Sequence, residues 1–288
     1  MFPTLALGPW HVATYNLIIV AAIVLGGVLG ARQARRLGVH WSVALHVATY
    51  GGAAGFIGAR LYSLVFDAAR GQPLTWQALL TSGGLTWYGG AIAGILVGVW
   101  QIRRAGLPVV VAVDQAAPAV VGGHALGRLA CFVGGDDYGW HSNLPWAVAF
   151  PKGHPPSTAG YLRQMGDHIA ASVSNGTVMR VQPTMLYEAA GNALIAIWLW
   201  RRSHGRYRPW SNVSWYLVAY GAQRFVLEFL RPKDDRMANG LTVAQVNSLA
   251  FVAIGLVGLY AMRRRAATTA ADQLAAAGGV PHSVRVTD

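Results

Sequence analysis

Long apolar runs separated by short, arginine-bearing connections organise this chain. Seven runs reach or approach the roughly 20 residues that a helix needs to cross a hydrocarbon core. They cover 12–31, 43–66, 84–102, 109–132, 183–200, 212–230 and 243–262. The fifth is the shortest and contains Glu188 and Asn192, so its length alone does not establish a crossing. Gly90, Gly94 and Gly98 recur every fourth residue in the third run, as do Gly26 and Gly30 in the first. Small residues at that spacing allow helices to approach closely, which is their expected role. The connection 133–182, rich in Gly, Pro and Trp, is long enough to predict an outer cap or lid. The predicted fold is all-α: a membrane bundle of seven transmembrane helices over 1–265, capped by 133–182 between helices four and five. The Ala-rich, polar stretch 266–288 is expected to be a disordered cytoplasmic tail.

The basic residues orient the bundle. Arg32, Arg35 and Arg36 follow the first run, and Arg103 and Arg104 follow the third. Arg201, Arg202, Arg206 and Arg208 follow the fifth, and Arg263, Arg264 and Arg265 follow the seventh. If the runs alternate in direction, these twelve lie on one side, and the positive-inside rule makes that side the cytoplasm. The N-terminus then faces out and the C-terminus in, which requires an odd number of crossings and supports the short fifth helix. The first run is not expected to be a cleaved signal peptide, because its positive charges follow it.

Composition agrees with a lipid solvent. The 288 residues are 54% hydrophobic and 12% charged, against about 25% charged in an average soluble domain. Trp and Tyr number 11 each, as aromatic belts at the interfaces require. The net charge of +12 sits in the clusters named above, so orientation accounts for it and nucleic acid is not an expected partner. The single Cys131 excludes internal disulfides. No HExxH or comparable histidine spacing occurs, so no metal or cofactor is expected.

Charges inside or bordering the runs are costly, at about 2.5–3.5 kcal/mol each near mid-membrane, and therefore informative. Arg60 closes the second run, Asp114 opens the fourth and Arg128 lies near the outer end of the fourth. Arg224, Glu228 and Arg231 end the sixth, spaced by four and three residues, which predicts one shared helical face. Glu228 can neutralise one of these arginines but not both. The outer end of the bundle thus has surplus guanidinium, which suits a phosphate through paired hydrogen bonds. The bland reading is that the arginines snorkel to lipid headgroups. Glycines and acids around Arg128, in Gly127-Arg128-Leu129-Ala130-Cys131-Phe132-Val133-Gly134-Gly135-Asp136-Asp137-Tyr138-Gly139, favour backbone closing over a polar ligand instead.

That segment resembles the signature of the prolipoprotein diacylglyceryl transferase family. The resemblance continues through Pro145-Trp146-Ala147-Val148-Ala149-Phe150-Pro151, Gln182-Pro183-Thr184-Met185-Leu186-Tyr187-Glu188 and Arg224-Phe225-Val226-Leu227-Glu228-Phe229-Leu230-Arg231. Gly8-Pro9, Tyr15, Ala59-Arg60 and Tyr88-Gly89-Gly90 fall where the family has matching motifs. The match is in order over nearly the whole chain, excluding about the last two dozen residues.

The resemblance implies a multi-pass enzyme of the bacterial inner membrane. There the thiol of a lipobox cysteine, on a prolipoprotein signal peptide, would attack the diacylglyceryl carbon of phosphatidylglycerol, and glycerol phosphate would leave. It implies Arg128, Arg224 and Tyr88 as catalytic residues, and Arg128, Tyr15, Arg60, Gly139, Glu228 and Arg231 as contacts to substrate. Asp136, Asp137, Tyr187 and Glu188 would be structural polar groups. Asp136 and Asp137, at a turn with Tyr138-Gly139, are expected to fix the loop by hydrogen bonds or an ion pair.

Three positions depart from many members: Tyr88 in place of His, Cys131 in place of Asn and Gln182 in place of His. A phenol, with a pKa of about 10, is a weak base, so Tyr88 would orient substrate while the arginine field favours thiolate. His124, one turn before Arg128, is a second candidate base or a polar packing residue. Cys131 is expected to be a small buried residue rather than a nucleophile. The alternative to an enzyme is a non-enzymatic lipid-binding or assembly relative of the same fold, suggested by Tyr88. The intact Arg128, Arg224, Glu228 and Asp-Asp-Tyr-Gly turn oppose it.

Overall fold

The computed structural model of the chain describes residues 4–7, 10–36, 38–69, 71, 87–203, 209–233, 237 and 240–278. A hairpin of β1 (Thr4–Leu7) and β2 (Trp10–Ala13) precedes α1 (Thr14–Arg36). Helices α2 (Trp41–Ala69), α3 (Trp87–Arg104) and α4 (Val109–Gly134) follow. The next connection contains β3 (Val148–Ala149), α5 (Ala159–Gln164) and β4 (Arg180–Val181). Helices α6 (Thr184–Arg202), α7 (Ser211–Glu228) and α8 (Val243–Gly278) complete the chain. Each apolar run of the sequence thus forms one long helix.

The long helices neighbour one another in the order α3, α2, α1, α4, α6, α7, α8, and α4 also touches α7. Small residues make the closest seams. A Cβ added to Gly58 of α2 would stand 2.4 Å from the Cβ of Ala93 and 2.6 Å from the carbonyl oxygen of Gly89 on α3. Gly55 and Gly51 face Gly90 and Gly94 of α3 in the same way, so the glycine spacing of the third run marks a helix contact.

Large apolar side chains face outward, and several charged and polar ones are buried, unlike a soluble fold. Val20, Ile95, Leu96, Leu194 and Val257 are exposed, whereas Asp114, Glu188, Asn192, Glu228 and Arg231 are buried. Among the described residues, three helices, Thr14–Arg36, Val109–Gly134 and Val243–Arg264, are long and apolar enough to cross a membrane by length and composition alone. The architecture is that of an all-α membrane protein.

Polar groups also tie the ends of the helices together. Asp114, fully buried on α4, accepts the N–H of Val213 at 2.8 Å. Residue 210 offers no side-chain cap to α7, so this carboxylate from another helix satisfies one of its orphan donors and complements its dipole. At the start of α8, Thr242 and Gln245 form a reciprocal capping box.

Two boundaries differ from those expected. Helix α2 continues to Ala69, so Arg60 lies within it rather than closing it. Helix α8 continues past 265 to Gly278, because the alanines of 266–278 have the highest helix propensity of any residue. Residues 279–288 of the expected tail lie outside the described residues.

The connection between α4 and α6 has a small core of its own. Tyr138, Phe150, Leu162, Val181 and Met185 are buried together, with the rings of Tyr138 and Phe150 stacked at 5.4 Å. Arg180 donates to the carbonyls of Pro145 and Ala147, bracing the β3–β4 ribbon. Arg163 donates to the carbonyls of Ile169, Ala170 and Val173 and gathers the loop beyond α5 around one guanidinium.

Candidate functional site

The site begins where α4 ends. Gly135 adopts a left-handed conformation, φ 69°, and the N–H groups of Gly135 and Asp136 both donate to the carbonyl of Cys131. The chain therefore turns back over the last turns of α4. Asp137 then has φ 57°, which is uncommon for a residue with a side chain. Its side chain and carbonyl are both engaged, which offsets the strain. Oδ2 accepts from Arg128 Nη1 at 2.9 Å, Oδ1 from Lys233 Nζ at 3.1 Å, and the carbonyl from Thr184 Oγ1 at 2.7 Å.

A second acid completes the core. Glu188, fully buried on α6, lies between two arginines from different elements. Arg231 Nη2 donates to Oε2 at 2.8 Å, and Arg128 Nε stands 3.0 Å from Oε1. The Arg128 N–H is not aligned along the latter contact, so it is an ion pair rather than a hydrogen bond. Tyr220 also donates to Oε1 at 3.4 Å, and His124 Nε2 lies 3.8 Å away. Arg231 is closed to solvent, donates to Thr184 Oγ1 at 3.2 Å and stands 3.5 Å from Asp137 Oδ2.

Arg224 has a different partner. Its Nη1 donates to Glu228 Oε2 at 2.6 Å along α7, and the other Glu228 oxygen accepts from Thr242 Oγ1 at 3.1 Å. Arg224 still contributes to the positive field at Glu188. The expected common face of Arg224, Glu228 and Arg231 does not form. Helix α7 ends at Glu228, and Arg231 follows in a turn that carries it across to α6. Glu228 and Glu188 divide the two arginines between them.

The remaining predicted residues are placed as follows. Tyr15, on the first turn of α1, lies beside Gly134 at the end of α4. Tyr187 accepts from Trp146 Nε1 at 2.7 Å. Gly139 is buried and donates to the carbonyl of Gln182 at 2.8 Å; a Cβ there would stand 2.5 Å from the carbonyl oxygen of Leu230. Arg60 is buried on α2, which packs on α1 and α3, whereas α4, α6 and the end of α7 build the Arg128–Glu188–Arg231 core. The Tyr88 side chain and Gly8-Pro9 lie outside the described residues. Cys131 is partly buried, with its sulfur 3.8 Å from Arg128 Nη1. Lys233, Thr184, Tyr220 and Thr242 were not singled out by the sequence. Thr184 sits inside a quoted motif and Lys233 follows Arg231 by two residues, which were the available signals.

Two carboxyls beyond the end of α4 behave oppositely. Burial pushes the Asp136 carboxyl above the usual carboxylate range; its bond with the Cys131 thiol and the charges of Arg128 and Arg231 only partly oppose this. Burial also acts on Asp137, but Arg231, Lys233 and Arg128 outweigh it and hold that carboxyl well below the usual range. Four cations, Arg128, Arg224, Arg231 and Lys233, therefore face three ion-paired carboxylates, Asp137, Glu188 and Glu228. Buried guanidinium groups held in fixed geometry can stabilise an anion that forms during a reaction.

A helical membrane protein with a cluster of buried and partly buried, ion-paired arginines at one end of its bundle is the class that the fold and site define. The family model described as prolipoprotein diacylglyceryl transferase matches residues 3–261. The chain belongs to the prolipoprotein diacylglyceryl transferase family. It is 31% identical over 268 residues to the phosphatidylglycerol–prolipoprotein diacylglyceryl transferase of Gloeobacter violaceus, covering 91% of this chain and 92% of that one. Its identity to the protein of that name from Corynebacterium diphtheriae is 28% over 270 residues, covering 90% of this chain and 91% of the relative.

Proposed function

We infer that this chain transfers the diacylglyceryl group of phosphatidylglycerol to the cysteine thiol of a prolipoprotein. The sulfur attacks the terminal glyceryl carbon, a thioether forms, and the carbon–oxygen bond to phosphate breaks, releasing glycerol phosphate. The observation that carries this reading is the Arg128–Glu188–Arg231 core, flanked by the Asp137 and Glu228–Arg224 pairs. A leaving phosphate gains charge as its bond to carbon breaks, and fixed guanidinium donors stabilise that charge most when water is excluded. Membership of the family supplies the reaction class.

In this reading Arg128 and Arg224 hold the phosphate. Asp137, Glu188 and Glu228 keep the arginines aimed and limit the cost of burying them. Arg231, Tyr15, Arg60 and Gly139 shape the substrate pocket, and Tyr88 orients the substrate. Residues 1–265 form the catalytic domain, with the seven long helices crossing a bacterial cytoplasmic membrane and the N-terminus outside. Residues 133–182 cap the outer leaflet, where a secreted prolipoprotein arrives. The alternation of arginine clusters along the sequence supports this orientation.

The test uses membranes containing the full chain, phosphatidylglycerol labelled in its diacylglyceryl group and a lipobox peptide. Label should move to the peptide, and Arg128→Ala should abolish the transfer. Transfer that survives Arg128→Ala overturns the assignment of the phosphate site. No transfer by the wild type, with lipid still bound, identifies a non-enzymatic relative instead.

A further inference from the structure

The reaction leaves one requirement unassigned. A free thiol, with a pKa near 8.5, is mostly protonated at neutral pH, so the attacking sulfur gains from a base. Three of the acids around the arginines are unsuited to that task because cations already occupy them. Glu188 is held by Arg128 and Arg231, Asp137 by Arg128 and Lys233, and Glu228 by Arg224 and Thr242. Carboxylate oxygens already engaged by these donors are not free to take a thiol proton. His124 turns its Nε2 toward Glu188, and its ring lies 5.1 Å from that of Tyr220.

Asp136 is different in each respect. Among the described residues it has no ion pair within 4.0 Å, and its Oδ1 is shut from solvent without a hydrogen-bond partner. Its backbone is fixed by the bond from its N–H to the Cys131 carbonyl, 3.2 Å, so the carboxyl is held beside the turn that carries Asp137. It lines a cavity of about 340 Å³ together with Asp137, Tyr138, His154, Tyr161 and Lys233. That cavity reaches Asp137, the partner of Arg128, and is bounded by the α4–α6 connection and by Pro232 and Lys233 beyond α7. A carboxyl with one oxygen whose lone pairs are unused, on a residue that lines a cavity and adjoins the arginine-paired Asp137, is placed to accept a proton.

We propose that Asp136 is the general base that takes the proton from the lipobox cysteine thiol. This rests on the transferase reading above. The S–H proton passes to the Asp136 carboxylate as the sulfur lone pair forms the new carbon–sulfur bond. The carbon–oxygen bond breaks with its electron pair on the phosphate oxygen, held by Arg128 and Arg224. The proton then passes from Asp136 to the departing glycerol phosphate, whose second pKa is about 6, or to water. The raised carboxyl brings the base closer to its thiol partner, where proton transfer is most efficient. The groups facing Asp136 are Cys131 and Arg128 of α4, Tyr15 of α1, Asp137, and Arg231 beyond α7. Lys233, His154 and Tyr161 share its cavity.

The experiment compares two lipobox peptides, one with cysteine and one with selenocysteine, whose selenol is ionised at neutral pH and needs no base. With the cysteine peptide, Asp136→Asn should lower kcat about 10²- to 10⁴-fold at pH 7 while KM for phosphatidylglycerol changes little. With the selenocysteine peptide the loss should be less than about tenfold. Asp136→Glu should recover part of the cysteine rate. Equal losses with both peptides, in a variant whose Tm matches the wild type, overturn the proposal, as does a cysteine rate within about threefold of wild type. The wild type gives an arm that needs no substitution. Its rate with the cysteine peptide should fall on a low-pH limb that the selenocysteine peptide lacks until the selenol itself protonates. A limb common to both peptides overturns the proposal. Failure of the wild type with both peptides would instead overturn the transferase reading.

Discussion

Arg231 and Glu188 meet at 2.8 Å with both side chains closed to solvent, joining the end of α7 to the first turns of α6. Because Glu188 also faces Arg128, it is the hinge of the whole arginine core.

Removing one partner leaves buried charge uncompensated. Glu188→Gln should cost about 3–5 kcal/mol of stability, and Arg231→Met a similar amount. The double variant should cost clearly less than the two added together, because neither charge is then stranded. Thermal unfolding in detergent across the four proteins checks this; additive losses would mean that the pair is not coupled.

Asp137 sets an acid limit. Its carboxyl is held below the usual range in the folded protein, with burial outweighed by Arg231, Lys233 and Arg128. A depressed carboxyl contributes stability that is fully present above its unfolded pKa, about 3.9, and is lost as pH falls through the folded value. Asp137→Asn should therefore lower Tm at pH 7, and the gap from wild type should narrow only below about pH 4. A gap that closes between pH 7 and 5 would assign the effect to another group.

Gly139 has no room for a side chain. A Cβ there would meet the Leu230 carbonyl oxygen at 2.5 Å and Thr184 Cγ2 at 2.8 Å. Gly139→Ala should cost about 1–3 kcal/mol. It should also displace Thr184 and, through it, Arg231 and the Asp137 carbonyl. Loss of activity together with Tm is the expected result; an unchanged Tm would show that the segment beyond Tyr138 yields freely.

Tyr88 is expected to orient substrate rather than to move the proton. Tyr88→Phe should lower kcat for the cysteine peptide less than about tenfold, far less than Asp136→Asn. The reverse order would make the phenol the base.

Orientation can be read with tags in two connections. A tag at Ala105, between α3 and α4, should be accessible only from the cytoplasmic side, and one at Gly176, between α5 and β4, only from outside. Access to both from one side would remove the alternation on which seven crossings depend.

The positions of the long helices were legible in the sequence, because an apolar run of given length has few folded options in lipid. So was the need of Arg128, Arg224, Glu228 and Arg231 for partners, since a charge bordering such a run is costly, and the structure gives each an ion pair. The glycines of the third run likewise announced a close seam, which Gly55 and Gly51 of α2 complete.

Only the tertiary structure decided who partners whom. Spacing describes one helix at a time, so it placed Arg231 on the face of Glu228 although the helix ends at that residue. Glu188 lies 60 residues after Arg128 and 43 before Arg231, and only the packing of α4, α6 and α7 brings the three together. Asp136 and Asp137 are adjacent and chemically alike in the sequence. A left-handed turn directs one into the cations and leaves the other with an unpaired oxygen beside a cavity. Lipid and chain length determine where the helices form, but the charge state of a buried carboxyl depends on atoms within a few ångströms, which the fold alone supplies.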